Sequence, residues 1–230
     1  MAVYWPPFLG FVALLTVGVV ALSWSSTELL DAPDAAALGG DVLRMNVAVS
    51  QGMVAVLVVL AAWTAGVPWS AFGWRGTDGL TIALVVGLVL SGANLALERV
   101  LSERSLRDAA VLRDRLTPDS VGGWAVLLVV VVPVIAVSEE LLFRGALVGV
   151  AAVGLGVSPW PLAILSSLAF GAAHSAQGPV GIAVTAVFGG VLAALFVVTG
   201  SLLVVIVVHA IVDAMEFVVH VRIDGTGDPA

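Results

Sequence analysis

Across 230 residues, 60% of the side chains are hydrophobic and only 11% are charged, and the mean hydropathy is +1.14. No soluble domain of that length can hide so much apolar surface, so a water-soluble globular fold is excluded. Sixteen acids against nine arginines, with no lysine, give a net charge of −7, which argues against nucleic acid as a partner; the lack of cysteine excludes disulfides and thiolate metal sites.

Seven apolar runs are predicted as helices: 8–24, 45–66, 79–98, 121–151, 159–175, 179–199 and 201–220. They are long and continuous, without the period-two alternation of membrane strands. The expected fold is all-α, a polytopic transmembrane bundle of about seven membrane helices with one amphipathic surface helix. No basic residue precedes the first run, which therefore reads as a retained helix and not as a cleaved signal. Trp63, Trp69 and Trp74 gather around the second connection, as interfacial aromatics do.

The third run ends in Asn94 and Glu98, read as residues solvating a helix end. Between 98 and 119, Glu103, Arg104, Arg107, Asp108, Arg113, Asp114 and Arg115 alternate with Leu106, Ala109, Ala110 and Leu112. That pattern predicts a surface helix at the headgroups. With Arg99 the connection holds five of the nine arginines, so the positive-inside rule places it in the cytoplasm. Strict alternation then puts the N-terminus outside the plasma membrane and the C-terminus inside. Arg44 and Arg222 also fall on the cytoplasmic side, and Arg75 is the external exception.

The fourth run is too long for a straight crossing and contains Pro133, which predicts tilt or a kink. Gly145 and Gly149, four apart, would let a neighbouring helix approach closely. Short connections at 156–159, 177–179 and 199–201 separate the later runs. Three stretches of different character follow: N-terminal helices with the surface helix (1–120), a helical core (121–220) and an acidic tail (221–230).

The chemistry concentrates in that core. Glu139, Glu140 and Arg144 lie inside apolar sequence, where an ionisable residue costs from about 2.5 to more than 10 kcal/mol and marks a functional site. Adjacent helical residues point about 100° apart, so Glu139 and Glu140 are expected not to face the same partner. Glu140 and Arg144, four apart, can form an ion pair, which leaves Glu139 free to act elsewhere. Phe170 and His174 would share a helical face, with Phe170 packing on the ring. His209 and Asp213 are again four apart. Glu216 and His220 continue that stripe as interfacial residues, His220 lying about 16 Å from His209 by helical rise.

Glu139-Glu140-Leu-Leu-Phe-Arg144, Phe170-Gly-Ala-Ala-His174 and His209-Ala-Ile-Val-Asp213 together resemble the motifs of the CPBP family of intramembrane proteases, which includes the CAAX prenyl proteases and bacteriocin-processing or immunity proteins. The resemblance covers 121–216, and the first three runs look generic beside it. It implies a peptidase in which Glu139 and His174 activate water, while His209 and Asp213 support the oxyanion and Glu140, Arg144 and Phe170 support the site. The implied partners are a peptide or protein substrate in or beside the membrane and the lipid bilayer itself.

Asp213 stands where the family also uses Asn, so an oxyanion role requires its protonated form; alternatively it orients His209. A third reading gives zinc three ligands, Glu139, His174 and His209, with an open position for water. No His-Glu-x-x-His arrangement supports zinc, and the reading favoured here has no cofactor. Two other functions remain open: a proton-coupled transporter, which lacks the support of an inverted repeat, and a non-catalytic immunity or scaffold member of the same family.

Overall fold

The computed structural model describes residues 3–30, 39–77, 79–101 and 107–224, without the side chains of 26–30, 107 and 221–224. Most of the acidic stretch 28–41, the acids of 224–228, Glu103, Arg104 and Leu106, and the side chains of Arg107 and Arg222 lie outside the described residues. Among the described residues eight helices follow in the order α1 (Trp5–Leu30), α2 (Gly40–Thr64), α3 (Leu80–Val100), α4 (Arg107–Leu116), α5 (Val121–Leu155), α6 (Pro159–Ala172), α7 (Gly178–Thr199) and α8 (Leu202–Asp224). There is no strand among the described residues. Six of the helices are long and apolar enough to cross a membrane.

α5 is the centre of the bundle. It packs against α1, α2, α6 and α8, while α8 also lies along α3, and α6 along α7. The interior is built from Phe8, Val58, Phe72, Leu142, Phe143, Phe170, Leu192 and Val205. Outward, Leu14, Val17, Val129, Leu168 and Val198 are exposed, as expected for side chains that meet lipid in place of water. Trp63, Trp69 and Trp74 are exposed as well, consistent with their reading as interfacial aromatics.

The long fourth run is one continuous element of 35 residues with two widened stretches. Over Leu127–Val131 and Leu141–Val150 the backbone adopts the π-helical pattern, with hydrogen bonds running from i to i+5. Pro133 enters at the first turn of the ordinary helical segment between them, where its missing N–H disturbs least. Gly145 and Gly149 do admit a close approach, by a short 3-10 turn and, at Gly149, also by Phe196 of α7, whose ring would lie 3.1 Å from an added Cβ. A Cβ on Gly145 would lie 2.8 Å from the Phe72 ring, and one on Gly149 only 2.6 Å from the Ala71 carbonyl, both in the short turn Trp69–Phe72.

α6 differs from its expected extent of 159–175. It stops at Ala172 after 14 residues, about 21 Å at 1.5 Å per residue, short of a full crossing. His174 therefore sits in a turn and not on a helical face. Irregular backbone at such a depth is tolerated where it is enclosed by protein or lines a cavity, and this turn does both. α1 braces it: Ser23 and Ser175 share a hydrogen bond of 2.9 Å, and the Trp24 indole donates to the Ala172 carbonyl at 3.0 Å.

α4 lies across one side of the bundle, against α2, α7 and the Ser175–Gln177 turn. Its C-terminal carbonyl at Leu116 accepts from the buried Arg44 of α2 at 2.9 Å, and Arg44 also pairs with Asp41. Lysine-free arginine chemistry thus anchors the surface helix to the bundle.

Candidate active site

The widened stretch of α5 begins immediately after the acidic pair, and it changes what the pair can reach. Glu140 is fully buried and receives the Arg144 guanidinium at 2.6 Å. The other Arg144 amino group donates to the Gly189 carbonyl on α7 at 2.9 Å. Its carbon sits 4.3 Å from the centroid of the Phe170 ring, within cation–π range. A Cβ on Gly189 would lie 2.8 Å from that ring and 3.1 Å from the guanidinium, so the position requires glycine for this approach.

Glu140 has a second partner. Nδ1 of His209, on α8, lies 2.7 Å from the same Glu140 oxygen. Glu139 reaches the opposite edge of that ring, its Oε2 lying 3.7 Å from His209 Nε2. The expectation that the two glutamates could not address one partner is therefore incorrect. An imidazole presents its two nitrogens on different edges, so it can be straddled by side chains that point apart. Glu140 also does more than neutralise Arg144, because it, and not Asp213, takes the Nδ1 edge.

Glu139 faces a convergence of nitrogen atoms. Its Oε2 is 3.8 Å from His174 Nε2 and 3.7 Å from His209 Nε2, and has no hydrogen-bond partner among the described residues. Its Oε1 accepts from the Gln51 amide of α2 at 2.9 Å. His174 Nδ1 lies 2.7 Å from the Phe170 carbonyl. A carbonyl oxygen can only accept, so Nδ1 carries a proton and Nε2 is the nitrogen turned toward Glu139. Asp213 lies on the same side, with Oδ2 3.5 Å from His209 Nε2.

Phe170 organises the aromatic part of the site. Its ring is 4.6 Å from that of His174, 6.0 Å from that of His209 and 5.0 Å from Phe143, centroid to centroid. It therefore touches Arg144 and both imidazoles, which fits its expected packing role. Every residue named from the three motifs is brought into this one cluster.

A cavity of about 340 Å³ opens beside the cluster, walled by Glu139, His174, His209 and Asp213 on one side and by Leu112 and Phe217 on the other. It runs to a second ionic group. There Arg113 of α4 lies 3.4 Å from Glu216 and 3.9 Å from Glu98, and Glu98 meets His220 Nε2 at 3.0 Å. Asn94 donates to Glu98 at 3.4 Å. These residues were read from sequence as helix-end or interfacial groups. Instead they join α3, α4 and α8 across the cavity, because the surface helix packs close enough to insert Arg113 between two acids. Gln51, Asn94 and Glu98 also correct the view of the first three runs as generic. The available signal was a carboxamide or carboxylate inside an apolar run.

As a zinc site the triad is a few tenths of an ångström too open. Its Oε2–Nε2 separations of 3.8 and 3.7 Å exceed the roughly 3.3–3.5 Å imposed by tetrahedral ligands at about 2.0–2.1 Å. Among the described residues, no group of three or more His, Asp or Glu side chains is placed to hold a metal ion.

The apolar bundle with buried acids and imidazoles beside a cavity defines a multi-pass membrane protein with a polar site at the depth of its helices. Residues 121–215 match the family model described as Type II CAAX prenyl endopeptidase Rce1-like. This match, over somewhat less than half of the chain, supports a CPBP/CAAX protease family assignment for that segment. No curated protein and no solved structure matches the chain.

Proposed function

We propose that the chain is an intramembrane endopeptidase that cleaves membrane-embedded or lipid-proximal peptides with Glu139 as general base. The observation that carries this reading is the buried Glu139 Oε2, unpartnered among the described residues and facing two imidazole Nε2 atoms at the cavity wall. A water between Glu139 and His174 meets two acceptors. One takes its proton and the other fixes its orientation.

Glu139 removes a proton as the water oxygen bonds to the scissile carbonyl carbon. The carbonyl oxygen becomes an oxyanion on the side of His209 and Asp213. In this role His209 is the imidazolium, donating Nδ1–H to Glu140 and Nε2–H to the oxyanion, with Glu140 as its counter-charge. Asp213 contributes as the protonated acid. When the C–N bond breaks, the proton held by Glu139 passes to the leaving amine, giving one new carboxyl end and one new amino end. No step passes through a metal.

The proposed setting is the plasma membrane, with α4 and the C-terminus on the cytoplasmic side. Purified protein is tested against a peptide library beside Glu139→Gln. Loss of cleavage is expected while the variant still inserts and folds. Full activity in Glu139→Gln would remove Glu139 from the mechanism, and liposome proton uptake that depends on Glu139 would favour transport instead.

A further inference from the structure

Gln51 is an unusual residue for its place. It lies in the middle of α2, in an apolar stretch outside the segment 121–215 that carries the family resemblance. α2 docks along α5 there: Val47 and Ala48 pack on the Leu127, Val131 and Val132 cluster, and Gly52 faces Val134. A leucine would satisfy that packing. Instead the carboxamide reaches Glu139 Oε1 at 2.9 Å with Nε2, while Gln51 Oε1 accepts from the fully buried Ser138 hydroxyl at 2.9 Å.

The direction of this chain follows from chemistry. An ionised carboxylate only accepts, so the amide must turn its N–H₂ toward Glu139 and its oxygen toward Ser138. The opposite flip would set the amide oxygen against the carboxylate. Ser138 and Glu139 are neighbours on α5, so one side chain from α2 clamps two adjacent positions. By occupying Oε1, the clamp leaves Oε2 as the oxygen presented to His174 and His209.

We propose that Gln51 is a positioning residue, held by Ser138, that selects the Glu139 rotamer and fixes which carboxylate oxygen faces the two imidazoles. The inference rests on the assignment of Glu139 as the base. It adds that the N-terminal helices complete the site, because the carboxylate is aimed from α2.

The test is Gln51→Met, which keeps length and apolar contact but removes both hydrogen bonds. Expected is a fall in kcat of about 10–100-fold, the range seen when an orienting partner is lost, with KM and the thermal unfolding midpoint nearly unchanged. Gln51→Glu should regain activity only at lower pH, where the introduced carboxyl carries a proton and can donate as the amide does. If Gln51→Met does not fold, Ser138→Ala keeps the amide but frees its orientation, and a smaller loss of kcat is expected.

A spectroscopic measurement is independent of turnover. The infrared carboxylate band assigned to Glu139 by its loss in Glu139→Gln should shift in Gln51→Met. A band and a kcat both unchanged would overturn the inference. So would a drop in thermal stability with kcat per folded molecule retained, which is the behaviour of a hydrogen bond that only holds α2 to α5. If the wild type cleaves no peptide, the catalytic reading fails by itself, and the infrared shift still decides whether Gln51 orients Glu139.

Discussion

The Glu140–Arg144 pair can be tested by a double-mutant cycle to leucine. Both side chains are fully buried, with the charges 2.6 Å apart. Removing one partner of a buried pair costs about 3–5 kcal/mol in soluble proteins, because the other charge is stranded. The two single variants should nevertheless differ. Glu140→Leu strands Arg144 and also removes the acceptor at His209 Nδ1. Arg144→Leu leaves Glu140 with that imidazole as a remaining partner, and so should be the milder. In the double variant neither charge is stranded. Its main cost is the unpaired His209 donor, about 1–3 kcal/mol, plus the lost contact of Arg144 with Phe170. The single costs would sum to about 6–10 kcal/mol if independent, so after about 1–3 kcal/mol for the donor and up to about 2 kcal/mol for the ring contact, a coupling of at least ~1 kcal/mol is expected. Denaturant unfolding of all four proteins in one detergent gives the cycle. Additivity within about 0.5 kcal/mol, the behaviour of unconnected sites, would refute the pairing.

Two further expectations concern neighbouring positions. Asp213→Asn keeps the shape of the side chain and offers an N–H donor at every pH, so turnover should be preserved or raised and activity extended to higher pH; chelator-sensitive activity together with a large loss in this variant would instead establish a metal mechanism. Gly189→Ala gains up to about 1 kcal/mol of helix propensity but places a Cβ 2.8 Å from Phe170, and overpacking of about 1–3 kcal/mol should win; an unfolding midpoint equal to or above wild type would show that Phe170 and Arg144 move aside freely.

The helical membrane fold was legible because apolar run length alone dictates it. The motif residues were legible because an ionisable group in an apolar run announces itself, and Glu139, His174, His209 and Asp213 do meet at one cavity wall. The geometry between them was less accessible. Regular helical rotation predicted divergent glutamates, while His209 accepts both as neighbours through its two nitrogens. Spacing placed His174 on a helix, although α6 ends two residues earlier. Gln51 could not be tied to Glu139 from sequence, since 88 residues separate them and only the packing of α2 on α5 brings them together. The same holds for Arg113 and Glu216, joined by the docking of α4.

The order in which the helices leave the ribosome gives these pairings a role in biogenesis. Each acid of the site meets a partner no later than its own helix does. Gln51 precedes Glu139 in the chain and is available in the membrane as α5 enters. Glu140 needs no earlier helix, because Arg144 emerges one turn behind it on the same segment. A nascent α5 therefore presents an internally neutralised pair and a single acid with a waiting amide, which eases its passage into lipid. The imidazoles arrive afterwards, His209 last, on α8. The cluster thus becomes complete only once α8 has been made, so a nascent chain that stops short of α8 has no assembled site.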